Sequence, residues 1–148
     1  MRIAIASDHG GFELKERIKR QLDEMNVPYE DFGTHGPEPV DYPDYAERVA
    51  RPVAAGAFDR GILVCGTGIG MSIAANKIPG IRAALVTDVE TARLSRAHND
   101  ANIMAIGGRT TPADRAPDIV RTFLTTAFEG GRHARRVQKL SSLDCKDS

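Results

Sequence analysis

Gly61-Ile62-Leu63-Val64-Cys65-Gly66-Thr67-Gly68-Ile69-Gly70-Met71-Ser72-Ile73-Ala74-Ala75-Asn76-Lys77 is the stretch whose reading decides the fold. Its apolar run, bounded by glycines, reads as a buried parallel strand, and Ser72 to Lys77 reads as a short helix. Cys65 falls at the carboxyl end of the strand, where the free N–H groups that open the next helix favour a thiolate. Gly66, Gly68 and Gly70 let backbone N–H groups approach a ligand closely, so an oxyanion formed beside the sulfur is stabilised. A base next to an anion cradle points to proton abstraction. The same residues also fit a plain buried cysteine at a tight strand–helix turn, so the rest of the chain must decide.

Outward from this stretch, apolar runs alternate with amphipathic ones. Arg2–Ser7 reads as a strand. Gly11–Met25 reads as a helix with Leu14, Ile18, Leu22 and Met25 on one stripe and Glu13/Arg17 and Glu16/Arg20 as pairs opposite. Val27–Phe32 is a second strand, and Tyr42–Ala55 a helix with Pro43 in its first turn and Pro52 as a weak point. After the Cys65 unit come a strand at Ile81–Thr87, a helix at Val89–His98 and a strand at Ala101–Ile106. A long helix at Pro112–Phe128 and a short one at Arg132–Leu140 follow. The expected fold is a single α/β domain over 1–148, a three-layer αβα sandwich on a mostly parallel, Rossmann-like five-stranded sheet. About 141–148 reads as a frayed tail.

The chain is 148 residues long and 41% hydrophobic, enough for one domain with its own core. Twenty basic residues balance twenty acidic ones, so no overall field recruits nucleic acid or an anionic membrane. The apolar runs are too short to span a bilayer, and Met1 to Asp8 lacks a signal-peptide core. Two cysteines, Cys65 and Cys145, do not make a disulfide framework. A cytoplasmic, reduced setting is expected, with no membrane and no nucleic-acid partner.

In a sheet of this kind ligands bind beyond the carboxyl ends of the strands. The polar residues there are Ser7-Asp8-His9, Cys65 to Gly70, Asp88, and Gly107-Gly108-Arg109. Asp8-His9-Gly10-Gly11 suits a phosphorylated ligand at a helix start; an ordinary Asp cap with a solvated His is the plainer reading. His98 lies at the far end of its helix from Asp88 and reaches the same rim only if the following loop folds over. A general acid titrating near neutrality would complement a thiolate. Arg132 and Arg136, one turn apart in a segment without acidic residues, can grip a phosphate together, although spacing does not separate Arg135 from Arg136. A solvated basic face is the alternative. Lys15, Lys19 and Lys77 read as surface charges, and His35 and His133 carry no argument beyond position. A competing reading takes the 66–70 glycine loop with Asp88, about twenty residues on, as a dinucleotide-binding module. A non-enzymatic docking module is the third.

Several blocks together resemble ribose-5-phosphate isomerase type B, in the group that also holds the galactose-6-phosphate isomerase subunits. They are Ala6 to Gly11, Val40-Asp41-Tyr42-Pro43-Asp44-Tyr45-Ala46, Cys65 to Lys77, Arg93 to Asn102, and Gly130-Gly131-Arg132-His133. The resemblance implies aldose–ketose isomerisation of a sugar phosphate without metal or cofactor, through a cis-enediolate. It implies Cys65 as the base, with Gly66, Thr67, Gly68, Ile69 and Gly70 holding the enediolate and the Thr67 hydroxyl assisting. It further implies His98 as the ring-opening acid, with Asp8 positioning it. His9, Arg132 and Arg136 would bind phosphate, and Asn99 and Arg109 would complete substrate binding. Homodimers with shared active sites, or a dimer of dimers, are implied as well. Met71 stands where some relatives carry a glutamate base, so the thiol is the applicable base here. Allose 6-phosphate is the alternative substrate.

Overall fold

Four short runs rich in small and branched apolar residues, and a polar fifth at Tyr29–Asp31, pair side by side in the computed structural model, which describes residues 1–144. They are β1 (Ile3–Ser7), β2 (Tyr29–Asp31), β3 (Arg60–Cys65), β4 (Ala83–Leu85) and β5 (Ile103–Gly107). Their order is β2-β1-β3-β5-β4, and each pairing is parallel. The helices are α1 (Phe12–Glu24), α2 (Tyr42–Ala54), α3 (Ile69–Ala75), α4 (Val89–Ala97), α5 (Ala116–Thr125) and α6 (Arg132–Ser141).

Alternation along the strands divides the core between the two faces of the sheet. Ile3, Ile5, Ile62, Val64, Met104 and Ile106 meet Leu14, Ile18 and Leu22 of α1, Ala92 of α4 and Ile119 and Phe123 of α5. Ala4, Ala6, Leu63, Cys65, Ile103 and Ala105 meet Ala46, Val49 and Val53 of α2 and Met71 and Ala75 of α3. The result is the three-layer sandwich, with β1, β3 and β5 in its middle. From β1 the chain steps through α1 to β2, and from β3 it steps the other way through α3; these helices cover opposite faces. The crevice between the carboxyl ends of β1 and β3 is therefore the switch point at which such sheets bind ligands.

Several boundaries differ from expectation. The helix after Cys65 starts at Ile69, inside the glycine turn, not at Ser72, because Gly68 takes a left-handed φ of 83° and turns the chain straight into α3. α5 is shorter than the expected Pro112–Phe128: Arg115 and Ala116 N–H groups close a turn on Pro112 O, and Pro117 sets the helix start. β2 and β4, at the sheet edges, keep only three residues each. Pro52 is carried inside α2 without ending it. In the expected frayed tail, Asp144 accepts a hydrogen bond from Gly80 N at 2.8 Å; Cys145 lies outside the described residues.

Lys15 is not a surface charge. Its side chain is fully buried, and Nζ donates to both carboxylate oxygens of Asp31 at 2.7 and 2.6 Å. Lys19 joins at 2.9 Å, and Gly33 N donates to Asp31 at 2.8 Å. Burial would raise the Asp31 carboxyl, but the bonds from Lys15, Lys19 and the Gly33 N–H overcome it and hold the group below its ordinary value. Removing Asp31 leaves the buried Lys15 ammonium with only the longer Glu16 contact at 3.4 Å, so Asp31→Asn is expected to cost up to about 3–5 kcal/mol in denaturant unfolding. The depressed carboxyl contributes stability above its unfolded pKa, and that stability is lost as pH falls through the folded one. The wild-type chain should therefore lose stability below about pH 4, and that part of the slope should be missing from Asp31→Asn.

Candidate active site

Cys65 ends β3 with its side chain 5% exposed, on the α2–α3 face. The Gly68 N–H donates to Sγ at 3.1 Å, so the turn places a donor where a thiolate carries its charge. Gly68 has no room for a side chain: a Cβ there would lie 2.7 Å from Leu85 and 3.0 Å from the Ile106 carbonyl carbon. Thr67 Oγ1 accepts from Ile69 N at 3.2 Å, which pins the hydroxyl at the loop's outer edge. Gly108 N and Arg109 N donate to Cys65 O and Gly66 O at 2.7 and 2.9 Å, tying the end of β5 to the glycine loop.

The β1 loop closes the other side. Asp8 N donates to Val64 O at 3.1 Å. Asp8 Oδ1 accepts from Gly11 N at 3.0 Å, capping a 3-10 turn, His9–Gly11, ahead of α1. A Cβ on Gly10 would lie 3.3 Å from Gly66 N, so the two loops touch. Val40 N donates to His9 Nδ1 at 3.1 Å; in the neutral ring Nε2 then carries the proton and can donate to a ligand. Arg109 brings its guanidinium over Gly66, where a Cβ would meet NH1 at 3.4 Å. Asp8, His9, Cys65, Gly66, Thr67, Gly68, Ile69, Gly70 and Arg109 thus stand on one rim.

His98, Asn99, Arg132 and Arg136 do not join them. α4 runs back against the strands, so His98, its C-terminal cap, lies toward the amino ends of β3 and β5, where Gly61 N donates to Asn102 O. The loop does not fold over: Arg96, 6% exposed, holds it through Asp100 and the Ala101 carbonyl at 2.8 and 2.6 Å. Cys65 pairs with Gly107 and Gly61 with Ile103, so the two ends are separated by about 13 Å of strand at 3.3 Å per residue. Asp8 cannot position the His98 of its own chain.

At that far end a second group forms, which local sequence did not signal. Glu129 N donates to Ala97 O at 3.0 Å, and the Gly130–Gly131 turn, with φ of 67° and 54°, starts α6 there. His133, 7% exposed, stacks on His98 with centroids 4.1 Å apart. Burial, with His98 and Arg132 beside it, pushes the His133 imidazole below its ordinary value. Asn99 and Arg136 line an open cleft of about 670 Å³ with Lys139 and Leu140. Asp88, the acid of the dinucleotide reading, caps α4 by accepting from Thr91 N at 2.7 Å.

Residues 3–140 match the family model described as Ribose/Galactose Isomerase, and the chain belongs to that family. It is similar to ribose-5-phosphate isomerase B of Escherichia coli, with 47% identity over 97% of this chain and 96% of that one. It is also similar to the structure of ribose-5-phosphate isomerase B from Clostridium thermocellum, with 55% identity, a TM-score of 0.97 and full coverage of both chains. The Mycoplasma genitalium ribose-5-phosphate isomerase B, solved with bound ribulose-5-phosphate, aligns at a TM-score of 0.91 and 42% identity, covering 95% of this chain and 93% of that one. Among the described residues, no helix is long and apolar enough to cross a membrane.

Proposed function

We propose that the chain interconverts D-ribose 5-phosphate and D-ribulose 5-phosphate through a cis-enediolate, with Cys65 as the base. The observation that carries this reading is the Gly68 N–H on Sγ at the β1/β3 switch point, in a member of an isomerase family. The thiolate takes the proton from C2 of the open aldose; the electron pair forms the C1–C2 double bond, and the C1 oxygen becomes the enediolate oxyanion. Loop N–H groups and Thr67 hold the enediolate oxygens; the proton on O2 passes to O1, and return of the proton from Cys65 to C1 leaves the C2 carbonyl of the ketose. His9, through Nε2, and Arg109 bind the substrate from the same rim, with Asp8 beside them.

Ring opening needs an acid, and His98 is the residue proposed for it. Since His98, Asn99, Arg132 and Arg136 share the opposite end of the chain, the complete site is assembled between two copies. Each copy gives its Cys65 rim and receives the partner's His98 and arginines for the ring oxygen and the phosphate. A homodimer working in the cytoplasm follows from this reading. Purified protein incubated with ribose 5-phosphate or allose 6-phosphate, with a chelator present, tests it. The expected result is ketose formation from ribose 5-phosphate that chelation leaves intact; activity lost to chelation and restored by a divalent ion would refute the metal-free route.

A further inference from the structure

We propose that His98, Glu129 and His133 form a binding site for a divalent transition-metal ion, zinc being the best fit, and that occupancy inhibits the enzyme. Both imidazoles turn Nε2 toward the same carboxylate oxygen: Glu129 Oε1 lies 3.8 Å from His98 Nε2 and 3.6 Å from His133 Nε2. These separations are too long for hydrogen bonds, whose usual range is about 2.7–3.2 Å. They are close to the spacing a shared ion imposes, since tetrahedral zinc with bonds of about 2.0–2.2 Å sets its ligand atoms about 3.3–3.6 Å apart. All three ligand atoms lie within 4.8 Å of one another.

The surroundings fit a three-ligand site with one open position. His133 is nine-tenths buried in its side chain, His98 is about one-third exposed, and Glu129 is more than half exposed. An ion therefore enters from the solvent side and keeps a fourth position for water. The two rings are 13° from parallel with centroids 4.1 Å apart, so loading requires them to rotate until their Nε2 lone pairs converge. Glu129 can follow, because it precedes Gly130 and Gly131, around which a Cβ would meet nothing within 4 Å. Imidazole and carboxylate together suit zinc over calcium or magnesium, which take oxygen ligands. Coordination through Nε2 would remove the proton that His98 is proposed to donate. The inhibition therefore rests on that reading; the site itself does not.

The test is calorimetric titration of the chelator-stripped full chain with zinc chloride, followed by cobalt loading and visible absorption. One zinc per chain is expected, with cobalt bands typical of nitrogen and oxygen ligands. The same stoichiometry should persist in a Cys65→Ala/Cys145→Ser chain, which excludes thiol capture. His133→Asn and Glu129→Gln should each weaken zinc binding by about tenfold or more, by analogy with losses at other metal sites. Glu129 is exposed, so its variant reads the site even if His133→Asn folds poorly. Absence of binding, binding lost with the thiols, or unchanged affinity in Glu129→Gln would overturn the site. Zinc that binds as described yet leaves furanose turnover intact would keep the site and refute the catalytic role of His98.

Discussion

Cys65→Ala and Cys65→Ser are both expected to lower kcat for ribose 5-phosphate isomerisation by about 10²–10⁴-fold, the usual contribution of a positioned base. The loss should be the same for furanose and open-chain substrate, since the sulfur is proposed to act after the ring has opened. Serine is the sharper variant. It keeps the size of the side chain and can still accept the Gly68 N–H that now reaches Sγ at 3.1 Å. What it lacks is acidity: a hydroxyl at neutral pH does not supply the anion that a thiol does. The fold should survive, because the substitution changes one atom in a small buried side chain and falls among the mild core changes, about 1 kcal/mol. Denaturant unfolding beside steady-state kinetics checks both halves. Near wild-type turnover in Cys65→Ser would remove the sulfur from the chemistry and leave it a packing residue under α3.

How far the sequence reached depends on whether each signal was local. The strand ending at Cys65 and the glycine turn after it are written in consecutive residues, and the rim they build with Asp8, His9 and Arg109 follows from parallel β–α connections. The start of α3 is hidden locally because Gly70 stands in a glycine-rich turn, whereas in the fold it is helical and sits under Tyr42, whose ring a Cβ would meet at 2.5 Å. The burial of Lys15 is hidden for a related reason. It stands beside the Leu14–Ile18–Leu22 stripe, and nothing within α1 reveals that Asp31, at the end of β2, buries with it. His133 had no signal at all, since its stacking partner is 35 positions away, on the cap of another helix. The direction of α4 was legible and already set His98 apart from the rim. That Arg96 holds it there required the structure.

The proposed division of the site between the two ends of the chain leads to the second large effect. A Cys65→Ala chain and an Arg132→Ala/Arg136→Ala chain should each be nearly inactive, one lacking the base and the other the phosphate grip. Mixed in equal amounts and allowed to exchange, they should recover about a quarter of wild-type activity, because two-fold symmetry makes every interface contact reciprocal. Half of the dimers are then hybrids. In each hybrid one pocket collects both lesions, while the other pairs an intact Cys65 with the intact arginines of its neighbour. Activity measured against time of mixing reads the outcome, and tagged chains captured together establish that exchange has occurred. Recovery depends on the roughly 13 Å of β5 that keep His98 and the arginines from their own Cys65. A chain that bent its last helix back over its own rim would complete its own site, and no hybrid could then gain what both parents lack. Exchange without recovery would therefore mean that Arg132 and Arg136 complete the site of their own chain, or that the protein works as a monomer.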